Sequence, residues 1–405
     1  MKELNDDFLT QAVRDELDGV VDLRRRLHQI PELGYEEHAT AALIQSFLED
    51  VPGLELQTGV AGTGMVALLG GDKSGPCVAF RADMDALPIS EASGLAYAST
   101  HPGRMHACGH DGHSALMAGL IRVLARCPDR LSGPVKFLFQ PAEEGGAGGL
   151  KMLEAGVLRE PPVEAIFGLH GWPTLEVGQA GAVEGAAFAS THSFDICIQG
   201  RAGHAAFPHR TVDPVPVAAL LITALQTLVS RETDPLDSAV LSICQIHAGS
   251  AYNIIPEEVV LRGTLRCLDP AHRDQLLQRM QAMASGIASA HGARAVVMQA
   301  ESGYPVLKNH VAATRLVAAV ASEVVGSDAW VPVPPTMGGE DFAFFAEQIP
   351  ACFWLLGVRE PGASSWPQLH TSTYDFNDRA METGLRIQAG VALRFQSGGL
   401  AAVTA

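Results

Sequence analysis

A chain of 405 residues with 47% hydrophobic and 18% charged residues is long enough to bury more than one core, so two domains are expected. Lys and Arg number 28 against 45 Asp and Glu, a net charge of −17, which repels phosphate backbones and anionic membranes and argues against nucleic-acid partners. The 7 cysteines include no CxxC pair and read as reduced thiols. The polar opening, MKELNDDFLT, does not resemble a secretory signal, and no apolar run of membrane-spanning length stands out. Cytoplasmic location is the resulting expectation.

In chain order, the spacing of Val13, Leu17, Val20, Val21 and Leu27 predicts a helix that Pro31 ends. A second helix is expected over Glu36–Leu48. Apolar runs at Gly64–Leu69, Cys77–Arg81, Val135–Gln140 and Ala165–Leu169 read as strands, alternating with helices at His113–Leu124 and Gly148–Ala155. That alternation predicts an α/β layer with a mixed, largely parallel sheet flanked by helices. The pattern then changes. A strand at His192–Gln199, a helix at Val215–Ser230, strands at Ala239–His247 and Val259–Cys267, a helix at Ala271–Ser289 and a strand at Ala293–Gln299 follow in the order β-α-β-β-α-β. This is the ferredoxin-like α+β unit, expected here as an inserted domain. Beyond it come helices at Ala312–Val325 and Glu340–Ile349, a strand at Cys352–Leu356 and a last helix from Asp378. The expected division is 1–186 and 302–405 for an interrupted catalytic domain, with 187–301 as the insertion.

Metal-binding residue types concentrate in five stretches: Arg81-Ala-Asp83-Met-Asp85, His106-Ala-Cys108-Gly-His110-Asp111-Gly-His113, Gln140-Pro-Ala-Glu143-Glu144, Gly168-Leu-His170 and Leu369-His370-Thr371. Three of them follow predicted strands, and the carboxyl ends of parallel strands are where open α/β sheets bind ligands. Alone, His170 reads as a hydrogen-bonded histidine, Cys108 as a packed thiol, and Glu143-Glu144 as a solvated helix start. Their joint occurrence at three strand ends makes a metal cluster the better reading. No GxSxG elbow is present, and Gly62-Thr-Gly64 leads into a strand instead of opening a helix, so serine hydrolysis and dinucleotide binding are disfavoured.

The segments HQIPELGYEE, RADMDALPI, MHACGHDGHSA, FQPAEEGGAGG, GLHGWP, GRAGHAAFPH, NIIPE, GGEDFAFF and LHTS together resemble the hippurate hydrolases and indole-acetyl-amino-acid hydrolases. These are a branch of the aminoacylase and carboxypeptidase-type di-metal amidohydrolases. The resemblance implies that Cys108, His110, Glu144, His170 and His370 hold two divalent metal ions, with Zn2+ and Mn2+ both compatible with thiolate, imidazole and carboxylate donors. It implies Glu143 as general base toward a metal-activated water. In the wider superfamily an aspartate of the RADMDAL motif orients a ligating histidine; here Asp83 stands in that histidine's place, which leaves the roles of both aspartates open, with Asp85 counted among the catalytic residues. His113 reads as structural. His204 resembles a histidine that stabilises the oxyanion, often from a partner subunit. Asn253, Arg266 and the backbone of Gly338 and Gly339, at an expected helix start, resemble substrate-binding positions.

The implied reaction is hydrolysis of N-acyl amino acids carrying hydrophobic or aromatic acyl groups, with the inserted domain as lid and dimerisation surface. A homodimer or higher homo-oligomer is implied, acting on a small-molecule substrate. A dipeptidase or carboxypeptidase, or an N-acetyl-amino-acid deacetylase, would use the same metal site; a non-catalytic binding protein on the same fold is the remote alternative, disfavoured because every expected ligand and Glu143 are present.

Overall fold

The structure, a computed structural model, describes residues 7–299 and 303–400. The first six residues of the polar N-terminus and the expected junction at 301/302 lie outside them. The chain divides into two compact units: residues 1–185, 308–334 and 344–405, and residues 186–307 with 335–343.

The first unit is built on a seven-stranded mixed sheet. Across it the strands run Leu54–Val60, Gly64–Leu69, Val135–Gln140, Cys77–Asp83, Val163–Glu176, Ala351–Arg359 and Ala180–Gly181. The four from Val135–Gln140 to Ala351–Arg359 are mutually parallel, and antiparallel strands close both edges. Every residue of Val135–Gln140 and of Cys77–Asp83 is buried, the polar Lys136, Gln140, Arg81 and Asp83 included, which is why these stretches are rich in apolar residues without alternation. The opening helix, Asp7–Gln29, turns Leu9, Val13, Val20, Leu23 and Leu27 to the core, the one-sided stripe its spacing predicts. The helices His110–Ala125, Val311–Val324 and Ala380–Gly398 share that core with Phe80, Phe137 and Phe167.

The second unit is a four-stranded antiparallel sheet in the order Ala239–Ala248, Glu258–Cys267, Ser190–Gln199, Arg294–Gln299. Two helices, Pro214–Thr227 and Pro270–Ala290, connect strands on it, which gives the β-α-β-β-α-β order. Both helices begin in the same way. Proline takes the first turn, and the Asp213 or Asp269 side chain accepts a backbone N–H two or three residues on. Phe194, Ile196 and Ile198 of the sheet meet Val217, Leu221, Leu276 and Met280 of the helices in a separate core.

Three expectations need correction. The helix expected over Glu340–Ile349 is only Ala343–Ala346, because Glu340 spends its carboxylate on the Phe342 N–H in a tight turn. The strand expected to stop at Leu169 continues to Glu176, held in register by Ala351–Arg359. By length and composition, the helical stretch Pro214–Glu232 is apolar enough to cross a membrane, which the sequence reading did not register. Its Val217, Ala218, Leu221, Leu225 and Leu228 are buried in the second unit's core.

Candidate metal centre

Five chain segments of the first unit bring the expected donors together. Asp83 ends a central strand and Asp85 follows it, while Glu143 and Glu144 follow the neighbouring parallel strand. His170 lies within the third parallel strand, opposite Leu355. Cys108 precedes the helix that begins at His110, and Gly109 between them adopts φ 87°, a left-handed conformation that costs glycine little. A Cβ there would also come within 2.9 Å of the Tyr374 hydroxyl. His370, itself left-handed at φ 61°, is tied to the same place by its N–H, which donates to the Ala107 carbonyl at 2.8 Å.

Cys108 is the hub. Its Sγ lies 3.3 Å from His170 Nε2 and 3.3 Å from His370 Nε2, and His370 Nε2 lies 3.1 Å from Glu144 Oε1. Ligand atoms within 4.8 Å of one another fall into overlapping groups: Cys108, His110 and His170; Cys108, Glu144 and His370; His110, Glu143 and Glu144. The tautomer of His170 follows from its contacts. Nδ1–H donates to the Gly171 carbonyl at 2.8 Å, which turns the Nε2 lone pair toward Cys108.

A fourth group joins Asp83, His110 and His113, but His113 is already engaged at both nitrogens. Its Nδ1 donates to Asp83 Oδ1 at 2.7 Å and its Nε2 accepts the Gly171 N–H at 2.9 Å. His113 therefore braces the strand beside His170 and offers no lone pair to a cation. Asp83 is held in turn by Arg81 at 2.6 Å and lies 3.7 Å from His110 Nε2.

Asp85 links two of these segments. Its Oδ1 and Oδ2 accept the backbone N–H groups of Glu143 at 3.0 Å and Glu144 at 2.9 Å, and Oδ1 also lies 3.3 Å from His110 Nδ1. One buried carboxylate thus fixes the Glu143-Glu144 dipeptide and faces His110, an expected ligand. The first turn of the His110 helix is pinned from behind. Asp111 pairs with Arg24 Nε at 2.9 Å and with His28 Nδ1 at 2.8 Å, and His28 Nε2 reaches Glu91 at 3.2 Å.

Electrostatics match this crowding of acids. Burial, reinforced by the Glu144, Glu143 and Asp83 carboxylates, pushes the Cys108 thiol well above its ordinary range. Burial opposes protonation of His110, yet Asp83 and Asp85 outweigh it and raise that imidazole to about 10. Burial and the neighbouring His113 push His170 well down, so it presents a neutral ring. Thiol, imidazole and excess carboxylate, converging on overlapping points and each favouring nearby positive charge, fit divalent cations held by mixed S, N and O donors.

The remaining expected residues belong to the second unit. His204 is exposed, pairs with Ile254 in a two-residue ladder, and accepts the Ala206 N–H on Nδ1 at 3.1 Å. The Asn253 carbonyl accepts the Ala205 N–H at 3.0 Å, which joins those two loops. Arg266 is half-buried, and burial lowers its pKa. Its Nη1 would be 3.1 Å from a Cβ on Gly339, and Thr191 Cγ2 would be 2.1 Å from it, so only glycine fits there. The Gly338 N–H donates to Thr336 Oγ1 at 3.2 Å. Because the helix starts only at Ala343, the two glycines precede a turn and not a helix N-terminus.

Sequence reasoning gave no role to Glu37, Thr63, Arg24, His28 or Asp111. The motif-bearing segments contain Glu37, His28 and Asp111, but nothing in their spacing says which backbone or side chain each would meet.

Comparison with known proteins places the chain in a family. Residues 79–394 match the family described as peptidase family M20/M25/M40. The IAA-amino acid hydrolase ILR1-like 4 of Arabidopsis thaliana is 38% identical, covering 98% of this chain and 90% of its own. The N-acetyl-L-cysteine deacetylase of Bacillus subtilis is 43% identical, covering 84% of this chain and 80% of its own. Among solved structures, a dinuclear metal binding peptidase of the M20 family from Bacillus subtilis superposes with a TM-score of 0.83 at 34% identity, covering 95% of this chain and 99% of its own.

Proposed function

Since the chain belongs to peptidase family M20/M25/M40, we propose that it is a hydrolase of N-acyl amino acids, with Glu143 as general base beside a two-cation centre held by Cys108, His110, Glu144, His170 and His370. The observation that carries this reading is the approach of His170 Nε2 and His370 Nε2 to one Cys108 Sγ, each at 3.3 Å, beside the paired Glu143 and Glu144. Zn2+ suits the thiolate and Mn2+ the carboxylates, and either would polarise the amide carbonyl and make water acidic enough to react near neutral pH.

The residues of the chain divide the remaining work. Glu143, buried beside Glu144, takes a proton from water and delivers it to the leaving amide nitrogen. Asp85 keeps Glu143 and Glu144 in place through their backbone N–H groups and faces His110. His204, from this chain or from a second copy, stabilises the oxyanion, and Asn253, Arg266 and the Gly338–Gly339 backbone receive the substrate's carbonyl and carboxylate. The second unit, residues 186–307 with 335–343, then serves as lid and dimerisation surface. Free cysteines throughout support a reducing compartment, the cytoplasm.

The similarity to an indole-acetyl-amino-acid hydrolase supports an aromatic or hydrophobic acyl group. The 43% identity to an N-acetyl-L-cysteine deacetylase favours acetyl amino acids as a second reading on the same chemistry. Dialysis against chelator, followed by Zn2+, Mn2+ or Co2+ and a panel of benzoylglycine, indole-acetyl amino acids, acetyl amino acids and dipeptides, separates them. Metal-restored cleavage that Glu143→Ala abolishes is expected, with the best substrate naming the class. If no cation restores cleavage of any amide, the proposal fails. A dimer with His204 acting in trans predicts turnover per subunit that falls on dilution, and constant turnover would place that role within one chain.

A further inference from the structure

The turn that carries Glu143 and Glu144 is conformationally costly. Ala142 sits at φ 50°, ψ 50° and Ala147 at φ 52°, ψ 42°, both left-handed, with Gly145 at φ 90° between them. Left-handed alanine is disfavoured against ordinary helical geometry because its Cβ crowds the following carbonyl oxygen, so two in one turn persist only where surrounding contacts impose them. Asp85 accounts for the N–H groups of Glu143 and Glu144. It does not account for Ala142.

The missing restraint comes from Gly34-Tyr35-Glu36-Glu37, more than a hundred residues earlier. Glu37 is fully buried, and its Oε1 accepts the Ala142 N–H at 2.8 Å. Its Oε2 accepts the Thr63 hydroxyl, which leaves the carboxylate no freedom to swing away. Tyr35 donates its hydroxyl to the Gly146 carbonyl at 2.6 Å, bracing the far side of the same turn. Gly34 completes the contact: a Cβ on it would come within 2.9 Å of the Ala142 methyl, so only glycine lets the two backbones approach this closely. Three consecutive N–H groups, those of Ala142, Glu143 and Glu144, are thus held by two buried carboxylates from different parts of the chain.

We propose that Gly34–Glu37 is a positioning clamp for the base turn, with Glu37 as its principal residue, setting the direction of the Glu143 side chain through the left-handed backbone of Ala142. The proposal rests on the reading of Glu143 as general base. Glu37 belongs to none of the converging ligand groups around Cys108 and His110, so it acts on the placement of the base and not on assembly of the metal centre. Asp85 holds the ligand Glu144 independently.

The test compares Glu37→Leu, which removes the acceptor, with Glu37→Gln, whose amide oxygen still accepts the Ala142 N–H while its NH2 donates to Thr63. For Glu37→Leu, kcat on benzoylglycine or the best panel substrate is expected to fall about 10- to 100-fold, the range for displaced supporting groups. KM and the Zn2+ affinity, measured by chelator competition on the apo protein, should stay within about threefold, the change expected where no direct ligand contact is lost. Amide exchange at Ala142 should accelerate at least about tenfold as its hydrogen bond is lost. Glu37→Gln should keep all four near wild type. Tyr35→Phe, which leaves Glu37 intact, should lose about 3- to 10-fold in kcat, the scale of one neutral hydrogen bond; it serves if the leucine variant fails to fold.

Unchanged kcat in both Glu37→Leu and Tyr35→Phe overturns the clamp. So does Zn2+ affinity that falls in step with kcat, since the segment would then act on the ligands. If the wild-type protein cleaves no amide with any cation, the functional reading fails separately, and Ala142 exchange alone decides. Exchange that accelerates in Glu37→Leu but not in Glu37→Gln supports the clamp, and equal exchange overturns it.

Discussion

Asp85→Asn is the sharpest single test of how the site is held. The side chain keeps its shape, but one acceptor oxygen becomes an NH2 group. Both backbone groups facing it are donors, the N–H of Glu143 at 3.0 Å and of Glu144 at 2.9 Å, so no flip of the amide satisfies both. One bond loses its ionic character, worth about 1 kcal/mol, and one buried N–H is left opposing a donor, costing about 1–3 kcal/mol. The sum is about 2–4 kcal/mol, a large share of the roughly 5–15 kcal/mol that keeps a typical domain folded. Urea unfolding at pH 7 with unchanged m measures it. Should the turn move to relieve the clash, the cost appears instead as a displaced Glu143, with a kcat loss of about 100-fold. Asp85→Asn within about 0.5 kcal/mol of wild type and with unchanged kcat would refute the assignment of Asp85 as the anchor of this turn, since surface-like substitutions lie in that range.

Three further outcomes follow from the packing and charge. Burial disfavours protonated His28, but Asp111 and Glu91 outweigh it and raise its pKa to about 9, with Arg24 opposing. Because the folded-state value is the higher one, this stabilisation is complete below about pH 6.5, the unfolded-state pKa. It is lost as pH rises through 9. The loss is up to about 3 kcal/mol. Denaturation curves from pH 6 to 10 should show it in wild type and not in His28→Gln. Gly112→Ala drives a methyl to 2.5 Å from the buried Phe376 ring, which Gly171 also contacts, and should destabilise by about 1–3 kcal/mol. Gly286→Ala, in open space on a helix of the second unit, should instead stabilise by about 0.5–1 kcal/mol, and equal effects at both sites would contradict the packing argument. Chelator treatment should lower the unfolding free energy relative to protein with Zn2+ at about 100 times its Kd by about 2.7 kcal/mol; identical curves would mean that the cluster binds no Zn2+.

The sheet was legible because burial leaves a periodic trace. Cys77–Arg81 and Val135–Gln140 are rich in apolar residues on both faces because each strand is buried along its whole length, Arg81, Lys136 and Gln140 included. The donor stretches were legible because polar, metal-binding residue types stand out against those runs. The helix after Gly339 was misread because apolar Phe342, Ala343 and Phe345 have helical spacing, while the local bond from Glu340 to the Phe342 N–H favours a turn. The extension of the His170 strand was missed because the apolar run ends at Leu169, before His170-Gly171, whereas pairing with Ala351–Arg359 carries the strand on to Glu176.

The sequence by itself determined which residues could bind cations and on which elements they stand, since both depend on residue type and local period. Only the tertiary structure decided that Cys108 is approached by both His170 and His370, that His113 is spent on Asp83 and Gly171, and that Glu37 and Asp85 share the backbone of the Glu143 turn. A buried carboxylate takes whichever donors the fold brings within 3 Å. Those donors come from strands and turns far apart in the chain, so neither spacing nor composition can select them.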